Sequence, residues 1–349
     1  MTNVQPMLVD TQVRDPDLLQ RLDQAGTFMR EIVYKQCVEE QARRDALSAM
    51  PAMKRRRIST RRNLEENGAA SRDNLSHIHS VLALCSLPYQ QQPISVREWN
   101  RSQGRMKLSI TAGKLTDPTN GDWVDMPLPY GSRARLLLLH VCSEAIRKNS
   151  PNIEIEDSLS AFIRAMGYPV TGGKHGTLTT FKQQINALAA CSMRIGLWDG
   201  NNGSRTINTQ PFTSLSMEMF TAAPNQRVLW PSKLSLSREF FDTLAAHALP
   251  INIHAARAFA NSPRKLDLLF WLGYRLHSLK SKVSIPWDKL SEQWGSNYSR
   301  FNNFKRDFAK EIAEIKEVFP KLPVVLTEAG CTISPGSPEA IALPRKPLK

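Results

Sequence analysis

Residues 285–319 read IPWDKLSEQWGSNYSRFNNFKRDFAKEIAEIKEVF, and two helical periods lie within them. Trp287, Leu290 and Trp294 recur at helical spacing and Gly295 comes next as a stop, which predicts a short helix. After Ser296 and Asn297 a longer pattern begins. Phe301, Phe304, Phe308, Ile312, Ile315 and Phe319 are separated by threes and fours, as one buried helical face requires. The opposite side carries Ser299, Asn302, Asn303, Arg306 and Lys310, with Arg300 and Lys305 on its flanks. Arg forks onto guanine, Asn pairs with adenine, and Lys and Ser reach phosphates. From Asn297 and Tyr298 onward, the N-terminal half of this helix therefore has the chemistry of a duplex-groove reader. Apart from Asp307, its acids come later, at Glu311, Glu314 and Glu317. The bland alternative is an ordinary solvated face. The residues beyond Phe319 favour the groove reader: Leu322–Thr327 is a β-branched run, Gly330 a turn, and Cys331–Ser334 a returning strand. Helix, turn, helix, hairpin is the order of a winged helix.

With 349 residues the chain exceeds one typical domain and has apolar material for two cores. A formal net charge of +14 predicts attraction to polyanions, nucleic acid first among them. The five cysteines are scattered, odd in number and without CxxC or Cys/His spacing. This gives neither a disulfide framework nor a zinc site, and fits a reducing compartment. No apolar run approaches the ~20 residues of a membrane span, and Met1–Leu19 lacks the pattern of a secretory signal. The expectation is a cytoplasmic protein with no membrane contact, metal or cofactor.

The expected fold is α+β and mainly helical: two tandem winged-helix domains with small antiparallel hairpins behind a basic, partly disordered N-terminal segment. The expected divisions are 1–84, 85–220, 221–334 and a tail, 335–349. A helix is expected around residues 16–48. The cluster Lys54, Arg55, Arg56, Arg57, Arg61 and Arg62 reads either as an arm on phosphates or as a disordered linker. His77-Ile78-His79 raises a catalytic rival, since such a triplet on a strand can hold the metal of rolling-circle nucleases that cut DNA with a tyrosine. Against it, Val81–Leu87 fits a helix as well as a strand, and no tyrosine with a helical lysine partner stands out.

Arg105–Thr111 and Trp123–Leu128 are expected to pair as a hairpin around a turn at 117–121. Arg133–Lys148 is a core helix, Ile153–Ile155 a strand, and Asp157 the cap of a helix burying Leu159, Phe162, Ile163 and Met166. Residues 167–176 hold a glycine-rich run that fails as a phosphate loop, because His175 stands where Ser or Thr is required and a helix precedes it. Read as a turn, it puts Lys174 and His175 beside a backbone phosphate. The next helix buries Leu178, Phe181, Ile185 and Leu188, with Thr177 at its start and Thr179, Thr180, Lys182 and Gln183 outward. Met193–Trp198 and Arg205–Asn208 form a second wing with Arg205 near its tip. Thr221–Pro231 reads as a linker, Leu234 to Leu244 as a helix, and Leu266 to Leu276 as the second core helix. Long helix, strand, short helix, recognition-like helix and hairpin thus occur twice.

Residues 128–139 (LPYGSRARLLLL), 155–164 (IEDSLSAFIR) and 171–179 (TGGKHGTLT), with Leu87-Pro-Tyr and Val96-Arg-Glu-Trp upstream, resemble plasmid replication initiators of the Rep type. The likeness is to the plasmid-encoded RepA group in particular, and covers about residues 85–334. It implies two winged-helix domains that bind directly repeated sites in double-stranded origin DNA and help open the duplex. It further implies recruitment of the host replication initiator and replicative helicase, and a homodimer acting as repressor. No catalytic residue is implied. The competing readings are the rolling-circle nicking enzyme and a simple winged-helix repressor.

Overall fold

The computed structural model describes residues 12–66, 74–117, 120–154, 159–173, 176–214, 233–296 and 298–341. The chain divides into two compact units, Met1–Ser59 and Thr60–Lys349.

In the first unit the single expected helix is two, α1 (Pro16–Asp23) and α2 (Arg30–Ala49). Pro16 opens α1, where a missing N–H is no loss; Gly26 lies in the break between them. Val13, Leu18 and Cys37 form a small core, and Arg44 reaches Asp15 and Asp17 at 2.7 and 2.8 Å. A third helix, α3 (Ala52–Glu66), contributes residues to both units. It holds the basic cluster, which is therefore helical and not a linker. Arg61 and Arg62 each meet a carboxylate one turn on, Glu65 at 2.8 Å and Glu66 at 2.9 Å, and such pairs offset the like-charge repulsion.

The second unit opens with β1 (Leu75–His79), α4 (Ser80–Cys85), β2 (Glu98–Gln103), β3 (Met106–Thr111), β4 (Lys114–Thr116) and β5 (Trp123–Asp125). The first module comes next: α5 (Gly131–Lys148), β6 (Asn152–Glu154), α6 (Leu159–Ala165), α7 (Thr177–Ala190), β7 (Ser192–Trp198) and β8 (Ser204–Thr209). It leads into β9 (Phe212–Ser214), β10 (Lys233–Leu236), α8 (Arg238–His247), β11 (Ala248–Asn252) and α9 (Ile253–Ala258). The second module is α10 (Pro263–Ser278), β12 (Val283–Pro286), α11 (Trp287–Trp294), α12 (Phe301–Val318), β13 (Val324–Leu326) and β14 (Gly330–Ile333). The fold is α+β with small antiparallel sheets, and the expected element order occurs twice.

In the second module the sheet is self-contained, in the order β12-β14-β13, with Ile285 opposite Cys331 and Val325 opposite Thr332. In the first, β6 pairs with β10 instead of with the β7–β8 hairpin, and β3 and β2 widen that hairpin into β2-β3-β7-β8. The hairpin expected between 105–111 and 123–128 does not form. Instead β3 turns back on β2 through Gly104, whose φ of +56° suits a residue without Cβ, and β5 pairs with β4. Leu108 and Ile110 of β3 are buried and face Ile195 and Met193 of β7, whereas every residue of β5, Trp123 and Val124 included, is exposed.

α10 runs through the core, with Leu266, Leu268, Phe270, Trp271 and Leu272 fully enclosed. It is tied to α5 by one buried ion pair: Arg135 Nε and Nη2 each lie 2.7 Å from an oxygen of Asp267. Arg135 also donates to the carbonyls of Leu87 and Pro88. Burial pushes the Asp267 carboxyl up while Arg135 pulls it down. The pair β1–β11 sets Ile78 opposite Leu249.

His79 lies on a strand, but its Nδ1 accepts from the Val81 N–H as the cap of α4, and its ring stacks on Phe240 at 5.9 Å. Leu234 belongs to β10, not a helix; α8 starts only after Ser237, whose hydroxyl accepts from the Phe240 N–H. Ile341, expected in the tail, is buried in the core within a 3-10 turn, Pro338–Ile341. The expected linker 221–231 and the Asp157 cap lie outside the described residues. All five cysteines are buried and unbridged, and among the described residues no helix is long and apolar enough to cross a membrane.

Candidate nucleic-acid interface

The two helices predicted from residues 285–319 form as α11 and α12. Trp287, Leu290 and Trp294 of the first, and Phe304, Phe308, Ile312, Ile315 and Val318 of the second, are buried. Trp287 meets Phe304 and Phe308 edge-on, with ring centroids 6.2 and 5.7 Å away. Burying each phenylalanine is worth about 1.5–3 kcal/mol. Phe301, expected on this face, is 44% exposed. As the first residue of α12 it lies ahead of the packed turns, and its ring carries the Lys305 ammonium at 4.8 Å.

The acids of α12 explain its orientation. Tyr298 donates to Asp307 at 3.1 Å, Arg264 donates to the Tyr298 hydroxyl and pairs with Glu311 at 2.9 Å, and Lys265 pairs with Glu314. Three carboxylates are thereby engaged with Tyr298 and the start of α10. Burial raises Glu311, whereas Arg306 beside Asp307 holds that carboxyl below its usual range. On the other side Ser299, Arg300, Asn302, Arg306 and Lys310 are exposed, with Asn303 and Lys305 half-buried. Arg306 Nε lies 2.9 Å from Asp307, yet its side chain is 70% exposed. Asn297 lies outside the described residues.

The corresponding helix of the first module differs. Thr177 is buried and donates to the Pro169 carbonyl at 2.7 Å; Thr179 and Thr180 donate to those of Gly173 and Gly176 at 2.9 and 3.0 Å. These hydroxyls hold the loop to the helix. Gln183 and Arg205 are exposed, and Lys182 is half-buried, its pKa lowered by that burial. Lys174 and His175 lie outside the described residues. The α7 set and the α12 set stand on separate modules, each on its own helix. The wing turn between β13 and β14 is acidic, with Glu328 exposed.

Three arginines around this site were not singled out by sequence pattern. Arg264 anchors Tyr298, Arg101 donates to the Ser296 hydroxyl at 2.7 Å in the turn before α12, and Arg135 joins α5 to α10. Arg135 stands within the LPYGSRARLLLL stretch, but nothing local announces a partner so far along the chain.

A family model described as plasmid encoded RepA protein matches residues 128–289, from just before α5 into α11. No curated protein matches the chain. Among solved structures the chain is similar to domains 2 and 3 of RctB, crystallised as selenomethionine derivatives. The identity is 11% and the TM-score 0.41, over 70% of this chain and 87% of that one.

Proposed function

We propose, from the match of residues 128–289 to the plasmid-encoded RepA family model, that this chain is a plasmid replication initiator acting by binding alone. In this reading α12 enters the major groove of origin repeats. Asn302 and Arg306 read base edges, while Lys310, Ser299 and Arg300 hold phosphates. The first module adds weaker contacts through Lys182, Gln183 and Arg205. One observation carries the reading. The exposed side of α12 turns its amides and cations to solvent, while Asp307, Glu311 and Glu314 are engaged with Tyr298 and α10. Origin opening, recruitment of the host initiator and helicase, and repression by a homodimer come from the family likeness and are proposals on the same footing.

The test is footprinting on plasmid DNA flanking the coding region, with replication of an origin plasmid supplied in trans. Protected direct repeats and supported replication are expected. Repeats bound without replication would leave a simple repressor. Metal-dependent nicking of supercoiled plasmid with a covalent protein–DNA adduct would replace the proposal with a nuclease.

A further inference from the structure

A cavity of about 450 Å³ lies between the β2–β3 hairpin and the α10–α11 pair of the second module. Its wall holds three cations, Arg101, Arg275 and Lys289, against one carboxylate, Glu292. That carboxylate is already engaged by Lys289, at 2.8 and 3.0 Å. Neither arginine has an anionic partner among the described residues. Arg101 touches the Ser296 hydroxyl, at 2.7 Å, and the face of Trp99, at 4.5 Å. Arg275 lies against Trp271, 5.8 Å from the ring centre, and its buried Nε has no hydrogen-bond partner. Gln293, on the same wall, also has a buried amide nitrogen without an acceptor. A buried donor left unpaired keeps its desolvation cost, which is larger on a charged group. Fold stability alone therefore gives no reason to leave the Arg275 and Gln293 nitrogens unpaired. An oxyanion in the cavity would meet the excess positive charge of this wall, and the guanidinium fork matches a phosphate better than any neutral ligand.

We infer that this cavity is a phosphate-binding site, seated by Arg101 and Arg275 with Lys289 at its rim. Two sources supply such a group. The first is a backbone phosphate of the duplex read by α12, since Arg101 is bonded to the turn that leads into that helix; this source rests on the proposed function. The second is the phosphate of a free nucleotide.

The experiment uses the full chain and three variants: Arg101→Gln with Arg275→Gln, the exposed Lys289→Gln as the fold-safe variant, and Lys310→Ala as control. Each is titrated against a labelled random-sequence duplex at several salt concentrations, and melted with and without millimolar pyrophosphate. If the duplex supplies the phosphate, the double variant binds at least about tenfold more weakly. Its slope of log affinity on log salt then falls by roughly 0.9 for each phosphate no longer held. If a free nucleotide supplies it, pyrophosphate raises the wild-type Tm, the double variant loses that shift, and its salt slope equals wild type. Lys289→Gln gives the same changes at smaller size and carries the test should the double variant not fold. Unchanged salt slope together with no pyrophosphate effect on the wild-type Tm overturns the site. Should Lys310→Ala leave duplex binding intact while the pyrophosphate shift depends on Arg101 and Arg275, the groove assignment fails and the cavity stands.

Discussion

The two modules share an order of elements and differ in what each closes upon. The second closes on itself: β12 pairs with its own hairpin, and the acids of α12 are tied to Tyr298 and the start of α10. The first is completed from outside. Its β6 takes β10 as partner, its hairpin takes β3 and β2, and the threonines of α7 hold their own loop. A helix whose hydroxyls are already bonded has less to offer a ligand than one whose amides and cations face solvent. Under the proposed function, the difference gives base reading to α12 and integration of the unit to the first module.

The largest test strikes the joint between them. Asp267→Ala leaves Arg135 buried and unpaired, and should cost about 3–5 kcal/mol in urea unfolding. A loss below about 1 kcal/mol would mean that α5 and α10 are not locked together. Phe181→Ala in α7 and Phe308→Ala in α12 each remove a fully buried ring and should cost about 3–5 kcal/mol. Both should shift one shared transition; two separated transitions would show modules that fold independently.

Acid should destabilise the folded chain through its buried histidines. Burial lowers His79 and His140 from 6.5 to about 4 in the folded chain. The unfolded chain then binds more protons at intermediate pH, so this stability is complete above about 6.5 and is lost as pH falls toward 4. The loss is on the order of 2–3 kcal/mol per histidine. Urea midpoints at pH 7.5 and 4.5 measure it. If His79→Phe retains the full acid sensitivity, His79 is not one of its sources.

At the interface, Arg306→Ala or Asn302→Ala should cost about 1–3 kcal/mol on the specific repeat and little on random duplex. Gln183→Ala should cost less than either. Equal losses on both duplexes would remove α12 from the groove. Smallest of all, Lys310→Ala and Arg205→Ala should each flatten the salt dependence by roughly one phosphate contact, with base preference unchanged.

Much of α12 was legible because a helical period is local: Phe304, Phe308, Ile312 and Ile315 announce their face within four turns. The wing was legible for the same reason, from Leu322–Thr327 and Gly330. The illegible features depend on distant partners. No local pattern states that β1 pairs with β11 or β6 with β10, since the strand period reports a face and not a neighbour. Phe301 fits the apolar spacing and is nonetheless exposed, because spacing does not say where packing begins. Thr179 and Thr180 point outward by period, yet bond their own backbone.

The pairing of β1 with β11 also governs how the molecule is made. A ribosome delivers His79 well before Ala248, and at ~5–20 residues per second the delay is on the order of ten seconds. Through that interval Ile78 lacks its strand partner Leu249, and the nascent chain carries an unpaired strand edge. A message truncated anywhere between these two strands yields a product that lacks the pairing altogether.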